Sequence, residues 1–161
     1  MNIDAARKGD LSEILALLEA SKLPIVGLDQ HVPSMIVARE TTTIVGCAAV
    51  EVYGETGLLR SVAVAPQWRG TGLGQRLTRA ALELARARSV RTVYLLTTTA
   101  DGFFPRFGFV PISRAELDPA LQQSAELRGA CPATAVAMRL DFSTSSRPSP
   151  QSSSPLPAPR R

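Results

Sequence analysis

Hydrophobic residues recur at two different spacings along the chain, and each spacing is typical of one kind of secondary structure. Over residues 11–20, leucine and isoleucine recur every three or four positions, which predicts an amphipathic helix. Asp10 and Glu13 have the spacing of a capping box at its start. A longer helix is predicted to open at residues 70–74, since apolar residues over 73–84 alternate with arginines and a glutamate in the helical period.

Runs rich in valine, isoleucine, alanine and leucine surround these helices and are separated by polar residues, glycine and proline, as strands are. Antiparallel strands come first, and a strand–helix–strand crossover follows them. This order predicts an α/β (mixed α+β) fold, a mixed sheet with helices on both faces. The predicted strands are 2–6, 35–39, 43–53, 57–64, 92–97, 109–112 and 134–140, with an irregular connection at 23–33 and short helical segments at 100–107 and 119–127.

The composition is that of a soluble globular protein, with 45% hydrophobic and 20% charged residues. A chain of 161 residues can bury a core large enough to fold without a disulfide or a structural metal. Two cysteines, Cys47 and Cys131, and one histidine, His31, are too few for the usual zinc site, so we expect no metal. The polar N-terminus and the short apolar runs favour a cytoplasmic protein without a signal peptide or a membrane span.

Most of the net charge of +4 lies in residues 143–161, STSSRPSPQSSSPLPAPRR, which contain three arginines and no acidic residue. Residues 1–142 are left with 15 basic and 14 acidic side chains, which is close to neutral. Serine and proline have little to bury, so we expect one domain over 1–142 and a disordered tail over 143–161. Without a basic face that carries interleaved aromatic residues, nucleic acid is not expected as a partner. The short apolar runs mean that no membrane is expected as a partner either.

A glycine-rich loop carries the most specific chemical signal in the chain. Residues 62–74 read VAVAPQWRGTGLG, with three glycines at alternate positions between a strand and a helix. Backbone N–H groups exposed at the positive end of a helix favour a pyrophosphate. The spacing is neither the dinucleotide fingerprint G-x-G-x-x-G nor the NTPase pattern G-x-x-x-x-G-K-[ST]. Glycines that merely permit a tight turn are the alternative interpretation.

Within this loop, residues 67–72 (QWRGTG) match Q/R-x-x-G-x-G/A, the signature of the GNAT superfamily of acetyl-CoA-dependent N-acetyltransferases, which the chain resembles. Residues 59–66 (LRSVAVAP) are similar to the central strand of that family. Residues 103–109 (FFPRFGF) are similar to its F-Y-x-x-x-G-F element. The resemblance covers residues 2–142 and implies a mostly antiparallel sheet that is splayed in the middle. It also implies acetyl transfer from acetyl-CoA to a primary amine, and it allows a homodimer.

Three shorter stretches resemble the small acetyltransferases of arsenic-resistance gene clusters, namely 58–64 (LLRSVAV), 94–100 (YLLTTTA) and 131–135 (CPATA). The LLTT stretch is also similar to amino-acid acetyltransferases of the N-acetylglutamate synthase type. Both resemblances imply a small, amino-acid-like acceptor, such as an organoarsenical or a related toxic glutamate analogue. The alternatives are an acetyltransferase for a metabolic amino acid or another amine, and a non-catalytic acyl-CoA-binding protein.

The resemblance also assigns roles to residues of the central strand and the loop. The backbone of Val62 and Val64 would pair with the pantetheine arm of acetyl-CoA, as an added strand would. A backbone N–H near Val62 would polarise the thioester carbonyl. The residues expected to bind the cofactor around its pyrophosphate are Gln67, Arg69, Gly70, Thr71, Gly72, Leu73, Gly74 and Gln75.

The acceptor amine must lose a proton, and the hairpin before the loop offers candidates for this step. If residues 54–57 form a four-residue turn, Glu51 faces Arg60, and Tyr53 lies on the same face of the sheet. In one interpretation Glu51 and Arg60 form a cross-strand ion pair. In the other interpretation, Arg60 and Tyr53 bind the acceptor, with the Arg60 guanidinium contacting the carboxylate of the acceptor. Glu51 then takes the proton of the acceptor amine. His31 is a further candidate base.

The chain departs from the resembled family at Phe104, where many members have a tyrosine that protonates the leaving thiolate. Tyr53 and Tyr94 are the only tyrosines that could replace it. A thiol has a pKa of about 8.5, so the thiolate of coenzyme A could also leave without a general acid. The arsenic resemblance further suggests that Cys131 could bind a trivalent metalloid.

Overall fold

In a computed structural model, which describes residues 1–125, 127 and 134–142, the chain forms a seven-stranded sheet with one α-helix on each face. The strands lie in the order β1-β2-β3-β4-β5-β7-β6. The tail over 143–161 and Cys131 lie outside the described residues. The strands are β1 (Asn2–Ala5), β2 (Met35–Glu40), β3 (Thr43–Tyr53), β4 (Thr56–Val64), β5 (Thr92–Thr97), β6 (Val110–Ile112) and β7 (Val136–Asp141), and the α-helices are α1 (Leu11–Ala20) and α2 (Leu73–Ala87).

All neighbouring strands are antiparallel except β4 and β5, which α2 joins as a parallel crossover. The predicted mixed sheet is therefore confirmed, and the described strands lie within a few residues of their predicted bounds. The helical segment predicted at 100–107 is shorter than expected, since the structure has a 3₁₀ turn there at Phe104–Phe107. The segment predicted at 119–127 begins with a 3₁₀ turn at Pro119–Gln123. In both turns a proline at the first or second position suits a helical start.

Two apolar clusters hold the helices on the sheet. On one face, Ile14 and Leu18 of α1 are fully buried against a cluster that includes Cys47 of β3. On the other face, Leu77 and Ala81 of α2 are fully buried in the larger cluster. The two clusters use alternate residues of β3, since successive side chains of a strand point to opposite faces.

The predicted capping box at α1 is wrong, because both carboxylates have other partners. Asp10 accepts hydrogen bonds from the backbone N–H of Arg7 at 2.8 Å and from the Arg39 guanidinium at 2.6 and 2.9 Å. Glu13 accepts one from the backbone N–H of Ile44 at 2.8 Å. These contacts tie the start of α1 to β2 and β3, and sequence spacing alone does not contain them.

The Asp10–Arg39 contact predicts a specific loss of stability in acid. The hydrogen bonds from Arg39 hold the pKa of Asp10 at about 2, below the ordinary 3.8. Because the folded pKa is the lower one, the contact stabilises the fold above about pH 4 and loses this effect as the pH falls through about 2. In urea unfolding near neutral pH, Asp10→Asn is expected to cost about 1–3 kcal/mol. Near pH 2 the variant and the parent protein should have equal stability, and a difference that persists there would contradict the assignment.

The β3–β4 hairpin also differs from its predicted register. The turn has two residues, Gly54 and Glu55, so that Tyr53 pairs with Thr56 and Glu51 with Leu58. Gly54 has a φ of +65°, which suits so tight a connection. The pairing therefore moves by two residues from the prediction. A shift of two residues leaves every side chain on its original face of the sheet. Glu51, Tyr53 and Arg60, which now pairs with Ala49, therefore still share one face.

Candidate functional site

The sheet opens between β4 and β5, as the family resemblance implied. Strands β4 and β5 pair only from Thr56 with Thr92 to Leu58 with Tyr94. Beyond this point the strands are not paired with each other, and a cleft of about 240 Å³ lies there. It is lined on one side by residues 59–64 of β4 and on the other by residues 95–97 of β5. An extended ligand could lie between the strands.

A bulge in β4 forms part of the cleft wall. Cys47 pairs with Ala63 but Ala49 pairs with Arg60, so Ser61 and Val62 together lie opposite Ala48. Ser61 has a φ of +61°, a conformation that costs a residue with a side chain about 1–3 kcal/mol. Hydrogen bonds hold it there: the Arg60 Nε donates to Ser61 Oγ at 3.1 Å, and Cys47 Sγ donates to the Ser61 carbonyl at 3.2 Å.

The glycine loop follows β4 directly and ends at the N-terminus of α2. Gly70 and Gly72 have φ values of +77° and +87°, and Gly72 is the residue that caps the helix. No atom lies within 4 Å of where a Cβ would stand at either position, so the cradle that their backbone forms is open. Since the first N–H groups of a helix have no intrahelical acceptor, this cradle fits a pyrophosphate.

The structure brings the predicted cofactor residues to one region. Val62, Val64 and Arg69 all line the cleft. Arg69 Nε donates to the Val64 carbonyl at 3.0 Å, which fastens the loop to β4. Thr71 Oγ1 donates to the carbonyl of Trp68 at 2.5 Å within the loop. The other predicted residues occupy the loop and the first turn of α2 and do not line the cleft, namely Gln67, Gly70, Thr71, Gly72, Leu73, Gly74 and Gln75.

Gly72→Ala tests the loop as an anion cradle. We expect the fold to lose about 1–2 kcal/mol, because an alanine in the left-handed region is strained. We also expect coenzyme A to bind about tenfold more weakly, because a Cβ would hold a phosphate away from the backbone N–H groups. Calorimetric titration measures the affinity. Gly54→Ala is the control, since Gly54 has a φ of +65° and equally open surroundings but lies in the hairpin turn. Equal affinities in both variants would contradict the cradle.

A polar cluster lies beside the bulge, and the side chains of Glu51 and Arg60 at its centre are fully buried. Arg60 lines the cleft and donates through Nη1 to Glu51 Oε2 at 2.8 Å, so the predicted pair is formed. Tyr53 donates to Glu51 Oε1 at 2.5 Å. His31 Nε2 lies 3.6 Å from Glu51 Oε2, and the His31 side chain is 16% exposed. Arg60 also donates to two backbone carbonyls of the irregular connection, those of Val26 at 2.7 Å and Pro24 at 3.0 Å.

The hydrogen bonds of this cluster keep Glu51 ionised. Burial by itself would raise the pKa of the Glu51 carboxyl, but hydrogen bonds from Tyr53, Arg60 and Ser124 outweigh burial and hold the pKa below its usual range. Burial and the bond to Glu51 raise the pKa of the Tyr53 hydroxyl. Ser124 and the two carbonyl partners of Arg60 are the members that sequence analysis missed. Backbone carbonyls leave no signal in a sequence.

The remaining candidates are placed as follows. Phe104 lines the cleft with its ring against Phe103 and Phe109, and it has no proton to give. Tyr94 is buried in a separate apolar cluster and does not line the cleft. Cys47 is fully buried, and burial raises the pKa of its thiol to about 12. A reactive role for Cys47 is therefore disfavoured.

Residues 32–111, which include the open strands, the bulge and the glycine loop, match the family described as the acetyltransferase (GNAT) domain. This region is a GNAT acetyltransferase domain. Over 126 residues it is 26% identical to the amino-acid acetyltransferase of Neisseria meningitidis, covering 73% of this chain and 29% of that protein. Over 117 residues it is 28% identical to an uncharacterised N-acetyltransferase of Chlorobaculum tepidum, covering 68% of this chain and 75% of that protein.

A solved structure has the same GNAT fold. The N-acetylglutamate synthase of Neisseria gonorrhoeae, complexed with coenzyme A and N-acetyl-glutamate, superposes with a TM-score of 0.74 at 23% identity. The match covers 87% of this chain and 34% of that chain. This chain therefore spans about a third of the length of these two Neisseria proteins. Among the described residues of the GNAT domain, no helix is long and apolar enough to cross a membrane.

Proposed function

We propose that this chain transfers an acetyl group from acetyl-CoA to the primary amine of a small, amino-acid-like acceptor. The observation that carries the proposal is the opening of β4 from β5 beside a glycine loop whose backbone cradle is unobstructed. The GNAT family match supports the donor. The relatives named as amino-acid acetyltransferases support the class of acceptor.

Acetyl-CoA supplies an acetyl group activated as a thioester, and the chain contributes its orientation. The loop amides around Gly70 and Gly72 would hold the pyrophosphate, and the exposed backbone of Val62 and Val64 would pair with the pantetheine arm. The backbone N–H near Val62 would then lie beside the thioester carbonyl and stabilise the charge that develops on its oxygen. The bulge supports this role because it interrupts the regular pairing of β4 with β3 at Ser61 and Val62.

Of the two interpretations of Glu51 and Arg60, the hydrogen bonds favour the ion pair. Arg60 donates to Glu51, to Ser61 Oγ and to the carbonyls of Pro24 and Val26. An acceptor carboxylate would have to displace these carbonyls to reach the guanidinium. We therefore propose Arg60 as a positioning residue that fixes the connection beside the cleft.

We propose that Glu51 and His31 together accept the proton that the acceptor ammonium must lose. Glu51 is buried and its pKa is low, so it is a weak base by itself. The His31 imidazole lies 3.6 Å away and is partly exposed, so water can reach it. A carboxylate beside an imidazole stabilises the protonated ring that results.

The identity of the acceptor amine is the next step of the proposal. Glutamate is supported by the named relatives, since the similar structure is a synthase complexed with N-acetyl-glutamate. The resemblance to acetyltransferases of arsenic-resistance clusters extends the proposal to arsenical or phosphinic analogues of glutamate. Acetylation would convert their cationic amine into a neutral amide and remove a group that a target must recognise.

Thiol release from acetyl-CoA, measured against a panel of acceptors, tests the proposal. The panel contains amino acids, arsenical and phosphinic glutamate analogues, polyamines and short peptides. Turnover with glutamate or its analogues supports the proposal, and the preferred member identifies the acceptor. Turnover confined to polyamines or peptides would overturn the acceptor class. Binding of acetyl-CoA without release on any acceptor would show a non-catalytic acyl-CoA-binding protein, the alternative that Phe104 in place of tyrosine favours.

A further inference from the structure

A second cavity, of about 300 Å³, is lined by α2, by the 3₁₀ turn Phe104–Phe107 and by the end of β7, and it is rich in arginine. Arg79 and Arg86 of α2 line it together with Arg106 of the 3₁₀ turn Phe104–Phe107. Glu83 is the acidic residue among its described lining residues. The cavity therefore has an excess of positive charge, although residues 1–142 are nearly neutral as a whole.

Phenylalanine rings hold the arginines in place. The Arg106 guanidinium lies 4.7 Å from the centre of the Phe103 ring, and its Nε donates to the Phe103 carbonyl at 2.8 Å. The Arg79 guanidinium lies 5.5 Å from the centre of the Phe107 ring. Cations above aromatic rings keep their outer N–H groups available to another partner. Two arginines from two different elements are thus already ordered around one space.

This cavity begins close to the glycine loop. The Phe103 ring lies 3.6 Å from the Cβ position of Gly74, so the 3₁₀ turn packs against the first turn of α2. With a rise of 1.5 Å per residue, Arg79 lies about 9 Å along the helix from Leu73, and Arg86 about 20 Å. Arg79 and Arg106 are therefore at the end of the cavity nearest the proposed pyrophosphate cradle.

Coenzyme A has a further phosphate group, on the 3′ carbon of its ribose. Its 3′-phosphate is separated from the pyrophosphate by a single ribose, so it can reach only a short distance beyond the loop. A phosphate monoester carries close to two negative charges at neutral pH, and the planar guanidinium binds such a group with two hydrogen bonds. Arg86 is too far along α2 to share in this contact.

We propose that Arg79 and Arg106 bind the 3′-phosphate of coenzyme A, which makes the protein select coenzyme A over 3′-dephospho-coenzyme A. The proposal rests on the proposed function, since it assumes that the glycine loop holds the pyrophosphate. It adds a site for the nucleotide end of the donor, away from the acetyl group and from the acceptor.

Equilibrium binding of coenzyme A and of 3′-dephospho-coenzyme A, followed by calorimetry without any acceptor, tests this site. The parent protein is expected to bind coenzyme A about tenfold or more tightly than the dephosphorylated form. Arg79→Gln with Arg106→Gln should bring the two affinities together by weakening coenzyme A alone. All three arginines are exposed, so the substitutions are expected to leave the fold intact, and thermal unfolding checks this.

Arg86→Gln is the matched control, because it removes one arginine from the same cavity and from the same helix face. It should keep the discrimination of the parent protein. Equal affinities of the parent protein for the two compounds, or discrimination that survives in the double variant, would overturn the site while leaving the proposed function in place. Failure of both compounds to bind would overturn the proposed function and this site with it.

Discussion

Arg60→Met is expected to destabilise the protein by about 3–5 kcal/mol, because it leaves the Glu51 carboxylate buried without its ion-pair partner. Both side chains are fully buried, and their atoms lie 2.8 Å apart. The substitution also removes the donors to the Pro24 and Val26 carbonyls. Urea unfolding measures the free energy. The matched control is Arg76→Met, which removes an exposed arginine and should change stability by less than about 0.5 kcal/mol.

A double variant separates the ion pair from the other contacts of Arg60. Glu51→Leu combined with Arg60→Met removes both charges, and replacing a buried pair by apolar side chains is often nearly neutral. We expect the double variant to be more stable than the sum of the two single variants predicts, by about 1–3 kcal/mol. Effects that simply add would mean that Glu51 and Arg60 stabilise the fold independently.

The glycine loop shows how far sequence reasoning reaches at this site. Three alternate glycines after an apolar strand indicated either an anion cradle or a tight turn, and Gly70 and Gly72 have left-handed backbones that other residues avoid. The two amphipathic helices and the positions of the strands along the chain were predictable for the same reason. Each follows from a local period or a local backbone requirement, and tertiary contacts do not change it.

The hairpin and the capping box were not predictable in the same way. A two-residue turn and a four-residue turn around Gly54 place Glu51 on the same face, so the hydrophobic pattern cannot distinguish them. Asp10 and Glu13 have the correct spacing for a cap, but Arg39 and the backbone of Ile44 bind them more directly. Here partners distant in sequence outweigh a local rule.

The polar cluster beside the cleft was predicted only in part. The alternation of β3 and β4 brought Glu51, Tyr53 and Arg60 to one face, and the structure joins them. Arg60 also donates to the backbone carbonyls of Pro24 and Val26. The path of the irregular connection sets the positions of these carbonyls. No spacing rule describes such a path, so the choice between ion pair and acceptor site required the structure.

The packing of α2 on the sheet determines where the glycine loop lies, and it can be tested at one close contact. A Cβ added at Gly46 of β3 would lie 2.6 Å from Cδ1 of Leu77, which is fully buried. We expect Leu77→Ala to destabilise the protein by about 2–5 kcal/mol through the cavity it leaves. Gly46→Ala alone should cost about 1–3 kcal/mol because the new methyl group overpacks the same place.

The combination of Gly46→Ala with Leu77→Ala should cost less than the sum of the single changes, by at least about 1 kcal/mol, because the added methyl group occupies part of the space that Leu77 vacates. Urea unfolding of the four proteins measures this difference. Gly46→Ala with Leu84→Ala is the control, since Leu84 is a partly buried residue of α2 that is not among the nearest neighbours of Gly46. If the losses of unfolding free energy are additive in both pairs, α2 does not pack on the sheet through this contact. The position of the glycine loop would then depend on other residues of the helix.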